Sequence, residues 1–328
     1  MMRPSGRFPL SLGYAGAACA LAAAILCGLY FGDVRMSFAE MFDVLTLGPL
    51  AHPGEAFKHG VVWRIRMPRV IVSCISGAVL AAGGVIFQAV LKNPLAEPYT
   101  LGVSSGAAFG ASCAILVGHG WITPAAFLGC AVSLAAVLFI GWRGAQSDLS
   151  GIILAGVIVG NIFGAGMTLM KAVAGDKVSA IVIWLMGSFS AAGWHDVIPL
   201  LMSLLVVLSL CLIYYNELDI FASESDAASL GINVTAARTI LLAGTSLAVS
   251  FVVSRFGVIG FVGLIVPHFL RSLFGPAHRG LLMTSLLGGA ALLSAADTAA
   301  KTWNEMPAGV LTVLVGGPIF CFILWKRK

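Results

Sequence analysis

Apolar segments of about twenty residues recur along the whole length of this 328-residue chain. A helix of that length crosses the hydrocarbon core of a bilayer, which is about 30 Å thick. The chain is 59% hydrophobic and only 10% charged, whereas soluble domains carry about 25% charged residues. So few charges leave little to cover a water-facing surface. The sequence therefore predicts an all-α polytopic membrane protein, with residues 1–328 forming a single transmembrane domain.

Proline, glycine and polar clusters divide the apolar sequence into about ten predicted spans. The predicted bounds are 10–31, 67–91, 98–117, 122–141, 149–171, 196–215, 234–254, 257–270, 280–297 and 307–325. The eighth span is short and rich in glycine, which is typical of a helix that is broken or that does not cross fully. Arg3 and Arg7 precede a first span that is too long for the apolar region of a signal peptide. We therefore expect an uncleaved first helix, with the N- and C-termini in the cytoplasm.

Three arginines, Arg64, Arg66 and Arg69, are packed at the start of the second span. On the expected topology they lie outside, with Lys301 beside them, although basic residues usually favour the inner side. One interpretation is that these side chains reach toward lipid headgroups. The other is a docking surface for an acidic partner outside, since complementary charge steers encounter and fixes register.

The longest polar stretch that we expect inside runs from Asn216 to Arg238 and is acidic, with Glu217, Asp219, Glu224 and Asp226. Residues 222–230 can form a short helix that ends at Gly231, because glycine is the usual residue after a helix C-terminus. The stretch is either a plain connecting loop or a short helix seated in a groove of a cytoplasmic motor protein.

Several chemistries have no support in the sequence. There is no P-loop, no HExxH motif and no Gly-x-Ser-x-Gly, so we expect no catalytic residues and no ATP site on this chain. The histidines lack metal-ligand spacing, and the basic residues form no stripe for nucleic acid. Nearly all of the ionisable groups near the spans, including His195 and Asp196, fall at predicted span ends, whereas a proton relay needs such groups within spans. If ATP drives the function, another chain must supply the energy.

Several long motifs occur in a characteristic order. They are RMPR at 66–69, KNPLAEPYTLGVSSGA at 92–107, WLMGSF at 184–189, GVIGFVGLIVPHFLR at 257–271 and MPAGVLTVLVGGPIF at 306–320. Together they closely resemble the FecCD/cobalamin-type permease family, the transmembrane subunits of type II ABC importers for iron siderophores, haem or cobalamin. The resemblance covers essentially the full chain.

The resemblance implies an assembly as well as a fold. It implies ten helices per subunit and a pore formed with a second permease copy, which we expect to be a homodimer. It also implies two cytoplasmic ABC ATPase subunits that bind ATP and Mg, and a periplasmic or surface-tethered substrate-binding protein. The expected location is the bacterial inner or plasma membrane, as a multi-pass protein.

Site residues are carried over by position. The resemblance implies binding-protein docking at Arg66, Arg69 and Lys301. It implies an ATPase coupling helix, within a cytoplasmic coupling loop of about 216–236, at Ser223, Ala227, Ala228, Ser229, Leu230 and Gly231. It implies a cytoplasmic gate at Leu149 and Ser150. We further expect a structural turn at Asn93, Pro94, Glu97 and Pro98, and a pathway lined by Met167, Met170, Met186 and Phe189.

The function hypothesis is an importer of a metal chelate, either a ferric siderophore or haem. The stretch that contains the predicted pathway residues, Met167 to Phe189, carries few charges, which favours a bulky, partly apolar ligand over a small oxyanion. Methionines at helical spacing also serve as packing, however. Cobalamin is the second candidate ligand and a molybdate-type oxyanion the third. Two other classes stay open: an ion-coupled secondary transporter, which needs no ATPase, and a membrane-embedded enzyme.

Overall fold

The computed structural model of the protein describes residues 8–47, 56–118, 120–143, 149–222, 233–275 and 277–325. These residues form fourteen α-helices joined by turns. In chain order they are α1 Leu10–Tyr30, α2 Phe38–Leu47, α3 Ala56–Gly60, α4 Met67–Val90, α5 Val103–Val117, α6 Ile122–Arg143, α7 Leu149–Val173, α8 Val178–Leu185, α9 Trp194–Ile213, α10 Tyr215–Ala222, α11 Val234–Phe256, α12 Val262–Phe274, α13 His278–Thr302 and α14 Ala308–Trp325. A π-helical segment, Val61–Arg66, joins α3 to α4, and a 3-10 turn, Pro98–Leu101, precedes α5.

Ten of these helices correspond to the ten predicted spans. Within the described residues, seven helices are long and apolar enough to cross a membrane, and α5, α12 and α14 are shorter apolar helices. The predicted fold class, an all-α polytopic membrane protein, is therefore confirmed. The largest differences at helix ends are five residues each: α5 begins at Val103 instead of 98, α12 begins at Val262 instead of 257, and α13 continues to Thr302 instead of ending at 297.

Short helices account for most of what the sequence analysis missed. It assigned no helix to α2, α3, α8 or α10. Helix α2 begins with a reciprocal pair of hydrogen bonds, in which Ser37 N donates to Glu40 Oε2 and Glu40 N donates to Ser37 Oγ. Such a capping box stabilises a helix start and is visible in sequence. Helix α10 occupies the beginning of the acidic stretch, where no helix was predicted before residue 222.

Helix α4 runs through the middle of the bundle, where α9, α11, α12 and α13 pack around it. Two of its glycines bring neighbouring backbones into contact. A methyl group on Gly77 would lie 2.1 Å from the carbonyl oxygen of Gly289 in α13. A methyl group on Gly84 would lie 1.8 Å from the carbonyl oxygen of Gly263 in α12. Helices in membranes associate through such close packing of small residues.

The eighth predicted span is a broken helix. Residues 257–261 are not helical, and α12 then runs for 13 residues, about 20 Å, which is shorter than the hydrocarbon core. A methyl group on Gly257 would lie 2.1 Å from the carbonyl oxygen of Trp184. The non-helical backbone is thus enclosed by protein, the setting in which irregular backbone is tolerated at membrane depth.

The outward faces of the bundle are apolar. Helix α7 exposes Leu154 and Ile162, and helix α9 exposes Leu205 and Leu212. Exposed side chains of this size and number suit a hydrocarbon environment, since they would aggregate in water. The chain is an integral membrane protein.

A methyl group added at the contact between α4 and α12 tests the packing. Gly84→Ala is expected to lower the thermal stability of the purified protein, because the new Cβ collides with backbone that cannot rotate away. Gly164→Ala in α7 is the control: nothing lies within 4 Å of its Cβ position, and alanine favours a helix by about 1 kcal/mol over glycine. Thermal unfolding in detergent measures both variants. Equal stability of Gly84→Ala and the wild type would contradict the close contact.

Candidate functional site

Charged side chains gather at one end of the bundle, where α1 and α13 end and where α4 and α9 begin. Lys301 Nζ donates a hydrogen bond to the Gly28 carbonyl oxygen over 2.8 Å, which joins the ends of α13 and α1. Trp194 Nε1 donates to the Trp63 carbonyl oxygen over 2.7 Å, which joins the start of α9 to the segment before α4. This end of the bundle, which also contains Arg66 and Arg69, is termed the arginine end.

Arg69 is held in a two-pronged ion pair inside the protein. Its Nε lies 2.8 Å from Asp297 Oδ2, and its Nη2 lies 3.0 Å from Asp297 Oδ1. Both residues are buried, with 5% and 4% of their surface exposed. This parallel geometry is the strongest arrangement available to an arginine and a carboxylate. The pair joins α4 to α13.

A second carboxylate contacts Arg69 from the surface. Glu305 Oε2 lies 3.1 Å from Arg69 Nη1, and the Glu305 side chain is 46% exposed. Glu305 belongs to the turn between α13 and α14, where it and Asn304 both have left-handed backbone, with φ of 52° and 57°. Arg69 therefore has one deeply buried acidic partner and one accessible acidic partner.

Arg66 caps the C-terminal end of α1. Its Nη1 donates to the Leu29 and Tyr30 carbonyl oxygens over 2.7 Å and 2.9 Å, and its Nη2 donates to the Val34 carbonyl oxygen. The last carbonyls of a helix lack partners within the helix, so a cation there satisfies them and complements the helix dipole. Arg66 is only 3% exposed.

The structure thus brings together the three predicted docking residues, Arg66, Arg69 and Lys301. Their donors are directed into the protein, toward carbonyl oxygens and Asp297. Arg64, in contrast, is exposed at the same end. For Arg66, Arg69 and Lys301, contact with a partner outside the membrane stays a prediction. Such a partner would reach Arg69 at Nη1, the atom that Glu305 contacts.

A further charged cluster lies at the arginine end, and the sequence did not indicate that its members contact one another. Arg255, at the end of α11, places Nε 2.6 Å from Asp196 Oδ1 and Nη2 2.7 Å from His195 Nε2. Asp196 Oδ2 also accepts a hydrogen bond from Gly193 N over 2.9 Å, which caps α9. Sequence reasoning noted His195 and Asp196 as ionisable groups at a span end, but no spacing rule pairs them with a residue in another span.

The structural turn predicted at Asn93, Pro94, Glu97 and Pro98 lies between α4 and the 3-10 segment. Asn93 Oδ1 accepts a hydrogen bond from Leu95 N over 2.9 Å, and the Glu97 carbonyl oxygen accepts one from Thr100 N over 2.9 Å. Proline cannot donate a hydrogen bond to a continuing helix, and the chain changes direction here. Tyr99 OH donates to the Ile259 carbonyl oxygen over 3.0 Å, which links this turn to the broken helix.

The carboxyl group of Glu97 lies against the start of α12. A methyl group on Gly263 would lie 3.7 Å from Glu97 Oε2. Burial raises the pKa of Glu97 to about 7, because an enclosed site disfavours the ionised acid. The folded state therefore binds the proton more tightly than the unfolded chain does. This group's contribution to stability falls as pH rises from the ordinary carboxyl range to about 7.

The remaining predicted site residues are distributed over several elements. Leu149, which is half-buried, and Ser150, which is exposed, form the first turn of α7. Met167 and Met170 are half-buried further along α7, and Met186 is exposed just after α8. The predicted coupling-helix residues lie outside the described residues: Ser223, Ala227, Ala228, Ser229, Leu230 and Gly231.

Phe189 differs from the other predicted pathway residues. Its side chain is fully buried, and its ring centre lies 4.9 Å from that of Phe256. In this structure Phe189 packs the end of α11 and is not available to line a pathway. The sequence predicted Phe189 as a pathway residue because it belongs to the stretch from Met167 to Phe189, which carries few charges.

Removing the buried acid tests the ion pair. Asp297→Ala leaves Arg69 as an uncompensated buried charge, which typically costs about 3–5 kcal/mol of stability. Glu305→Ala is the matched control. It removes the accessible partner of the same arginine, and exposed ion pairs contribute only about 0–1 kcal/mol. Thermal unfolding of the purified protein measures both. A smaller loss in Asp297→Ala than in Glu305→Ala would contradict the described geometry.

The chain is similar to proteins named as import permeases over most of its length. It is 38% identical over 276 residues to the cobalamin import system permease protein BtuC of Halobacterium salinarum, covering 82% of this chain and 74% of the relative. It is 35% identical over 318 residues to an iron chelatin transport system permease protein of Helicobacter pylori, covering 95% and 97%. The cargoes named among such relatives are cobalamin, haem, iron chelates and molybdate.

The fold and the sequence profile agree with these similarities. A solved structure of a metal-chelate type ABC transporter, in an inward-facing conformation, matches with a TM-score of 0.81 at 28% identity, covering 95% of this chain and 98% of that one. The profile of the FecCD transport family matches residues 20–326. The chain therefore belongs to the FecCD transport family, whose members are permease subunits of type II ABC importers.

Proposed function

We propose that this permease subunit serves an importer of a ferric chelate, either a ferric siderophore or haem. The observation that carries the proposal is the structural match to a metal-chelate type ABC transporter over 95% of the chain. The similarity to an iron chelatin permease over nearly the full length of both chains supports the same cargo. Cobalamin is the alternative, supported by the 38% identical relative, and a molybdate-type oxyanion is third.

The proposed assembly contains a second copy of this chain, two cytoplasmic ABC ATPase subunits and a substrate-binding protein. ATP and Mg bind to the ATPase subunits. The coupling segment of this chain, Ser223 to Gly231 within the predicted cytoplasmic loop of about 216–236, is assigned by the resemblance in sequence. The gate residues Leu149 and Ser150 begin α7 at the end of the bundle opposite the arginine end. With both termini in the cytoplasm, the arginine end faces outward.

The proposed docking contact is an exchange of carboxylates at Arg69. Asp297 is buried and stays in place, whereas Glu305 is half exposed and its turn has strained backbone. A carboxylate on the binding protein can replace Glu305 on Arg69 without exposing the buried pair. Arg66 and Lys301 act by positioning, since they fix α1 beside α4 and α13.

Transport by the complete assembly tests the cargo. The permease is reconstituted in liposomes with its ATPase and binding protein, and uptake of ferric siderophores, haem, cobalamin and molybdate is measured with and without ATP and Mg. We expect a ferric siderophore or haem to accumulate only with ATP. Accumulation of cobalamin or molybdate alone would support the alternatives. Uptake that needs an ion gradient and no ATP would identify a secondary transporter.

Removal of the competing carboxylate tests the docking contact. Glu305→Gln is expected to strengthen binding of the substrate-binding protein by about three- to tenfold at low salt, because Arg69 loses an accessible acidic partner. The effect should shrink at high salt, where exposed charges are screened. Glu40→Gln is the matched control, since Glu40 forms its ion pair with Lys58 and not with Arg69. Equal affinity of Glu305→Gln and the wild type would reject the exchange.

A further inference from the structure

An apolar groove runs along the exposed side of α13. One cavity of about 520 Å³ lies between α1 and α13, a second of about 500 Å³ is also bordered by α12, and a third of about 270 Å³ lies between α12, α13 and α14. Ala295 lines all three cavities, so they adjoin one another along α13 and are together termed the groove. Small side chains, including Ala20 and Ala299, form much of its floor.

The groove ends in a polar mouth at the arginine end. A fourth cavity, of about 530 Å³, is lined there by Asp33 and Arg35, and it shares Phe31 and Thr302 with the apolar cavity between α1 and α13. Asp33 and Arg35 are both exposed. The two cavities therefore form a continuous surface with one acidic and one basic side chain at its end.

Exposed aromatic side chains place the mouth at the level of lipid headgroups. Phe38 and Phe42 of α2 are 69% and 67% exposed, although Met41 and Val44 on the same helix are buried. Trp303, which follows Thr302, is 66% exposed. Tryptophan concentrates at the interface between membrane and water, and a helix that presents phenylalanine side chains on an apolar outer face lies in that layer.

We propose that this groove binds one phospholipid with a primary ammonium headgroup, of the ethanolamine class. Arg35 binds the phosphate, since arginine forms strong charge-assisted hydrogen bonds with phosphate oxygens. Asp33 binds the ammonium group. One acyl chain lies in the groove as far as Ala295, seven residues before Thr302 and so about 10 Å along α13. That depth lies within one leaflet, about half of the 30 Å hydrocarbon core.

The charge pattern selects among common headgroups. A choline headgroup carries a positive charge but has no N–H to donate to Asp33. A glycerol headgroup has no cation. Its phosphate can bind Arg35, but Asp33 then has no cationic partner and faces a lipid of net negative charge. The groove alone accepts any acyl chain, whereas the mouth distinguishes the headgroups.

Lipid titration followed by native mass spectrometry tests the proposal on the full-length chain purified in non-ionic detergent. Dioleoyl phosphatidylethanolamine, phosphatidylcholine and phosphatidylglycerol are added separately, and the first bound lipid is counted. We expect half-saturation by phosphatidylethanolamine at about tenfold lower concentration than by the other two. Equal half-saturation by all three lipids would overturn the headgroup assignment.

Two variants address the two halves of the site. Arg35→Ala should raise the half-saturating concentration of phosphatidylethanolamine about tenfold, with Arg64→Ala as the control for loss of an exposed arginine at the same end. Ala295→Phe should abolish the first adduct for all three lipids by filling the groove. Its control is Ala135→Phe, at an exposed position of α6 outside the groove. Both test positions are exposed, and an unchanged thermal unfolding transition checks that each variant is folded. Unchanged lipid binding in either test variant would overturn the site.

Discussion

Close backbone contact around α4 is the constraint on which the rest of the structure depends. Lipid provides no hydrophobic force between helices, so association requires backbones near enough for dispersion contacts to add up. Gly77 and Gly84 supply that proximity to α13 and α12. Helix α12, which is short and follows a non-helical segment, is held by this contact and by its packing against α13. The turn at Glu97 then packs against the start of α12.

At the arginine end, charged side chains hold the helices together, as small residues do in the middle of the bundle. Arg66, Arg69 and Lys301 bind α1, α4 and α13 together through carbonyl oxygens and Asp297. A buried ion pair adds little net stability compared with an apolar contact of the same shape, but the loss of one partner is costly. Such pairs therefore fix the relative positions of helices, and a docking partner would meet a surface that is already rigid.

The sequence predicted the spans well because each depends on a local property, namely an apolar run bounded by breakers. It also placed Arg66, Arg69 and Lys301 at one end, since span ends on one side of a membrane must lie near the same plane. It could not show that their donors face inward, because the Arg69–Asp297 pair joins residues 228 positions apart. The His195–Asp196–Arg255 cluster escaped notice for the same reason. The burial of Phe189 depends on Phe256, which the sequence does not place beside it.

The backbone of the turn that carries Glu305 is strained, and this strain weakens the contact between Glu305 and Arg69. Left-handed backbone at a residue other than glycine costs about 1 kcal/mol or more, and Asn304 and Glu305 both adopt it. The contact between Glu305 and Arg69 thus opposes a local tendency of the chain to relax. A carboxylate from another molecule would compete for Arg69 with Glu305, whose backbone conformation is strained. The turn leads directly into α14, where Gly309 N donates to the Gly187 carbonyl oxygen. Relaxation there would reach the segment after α8, and a surface event would become a displacement inside the bundle.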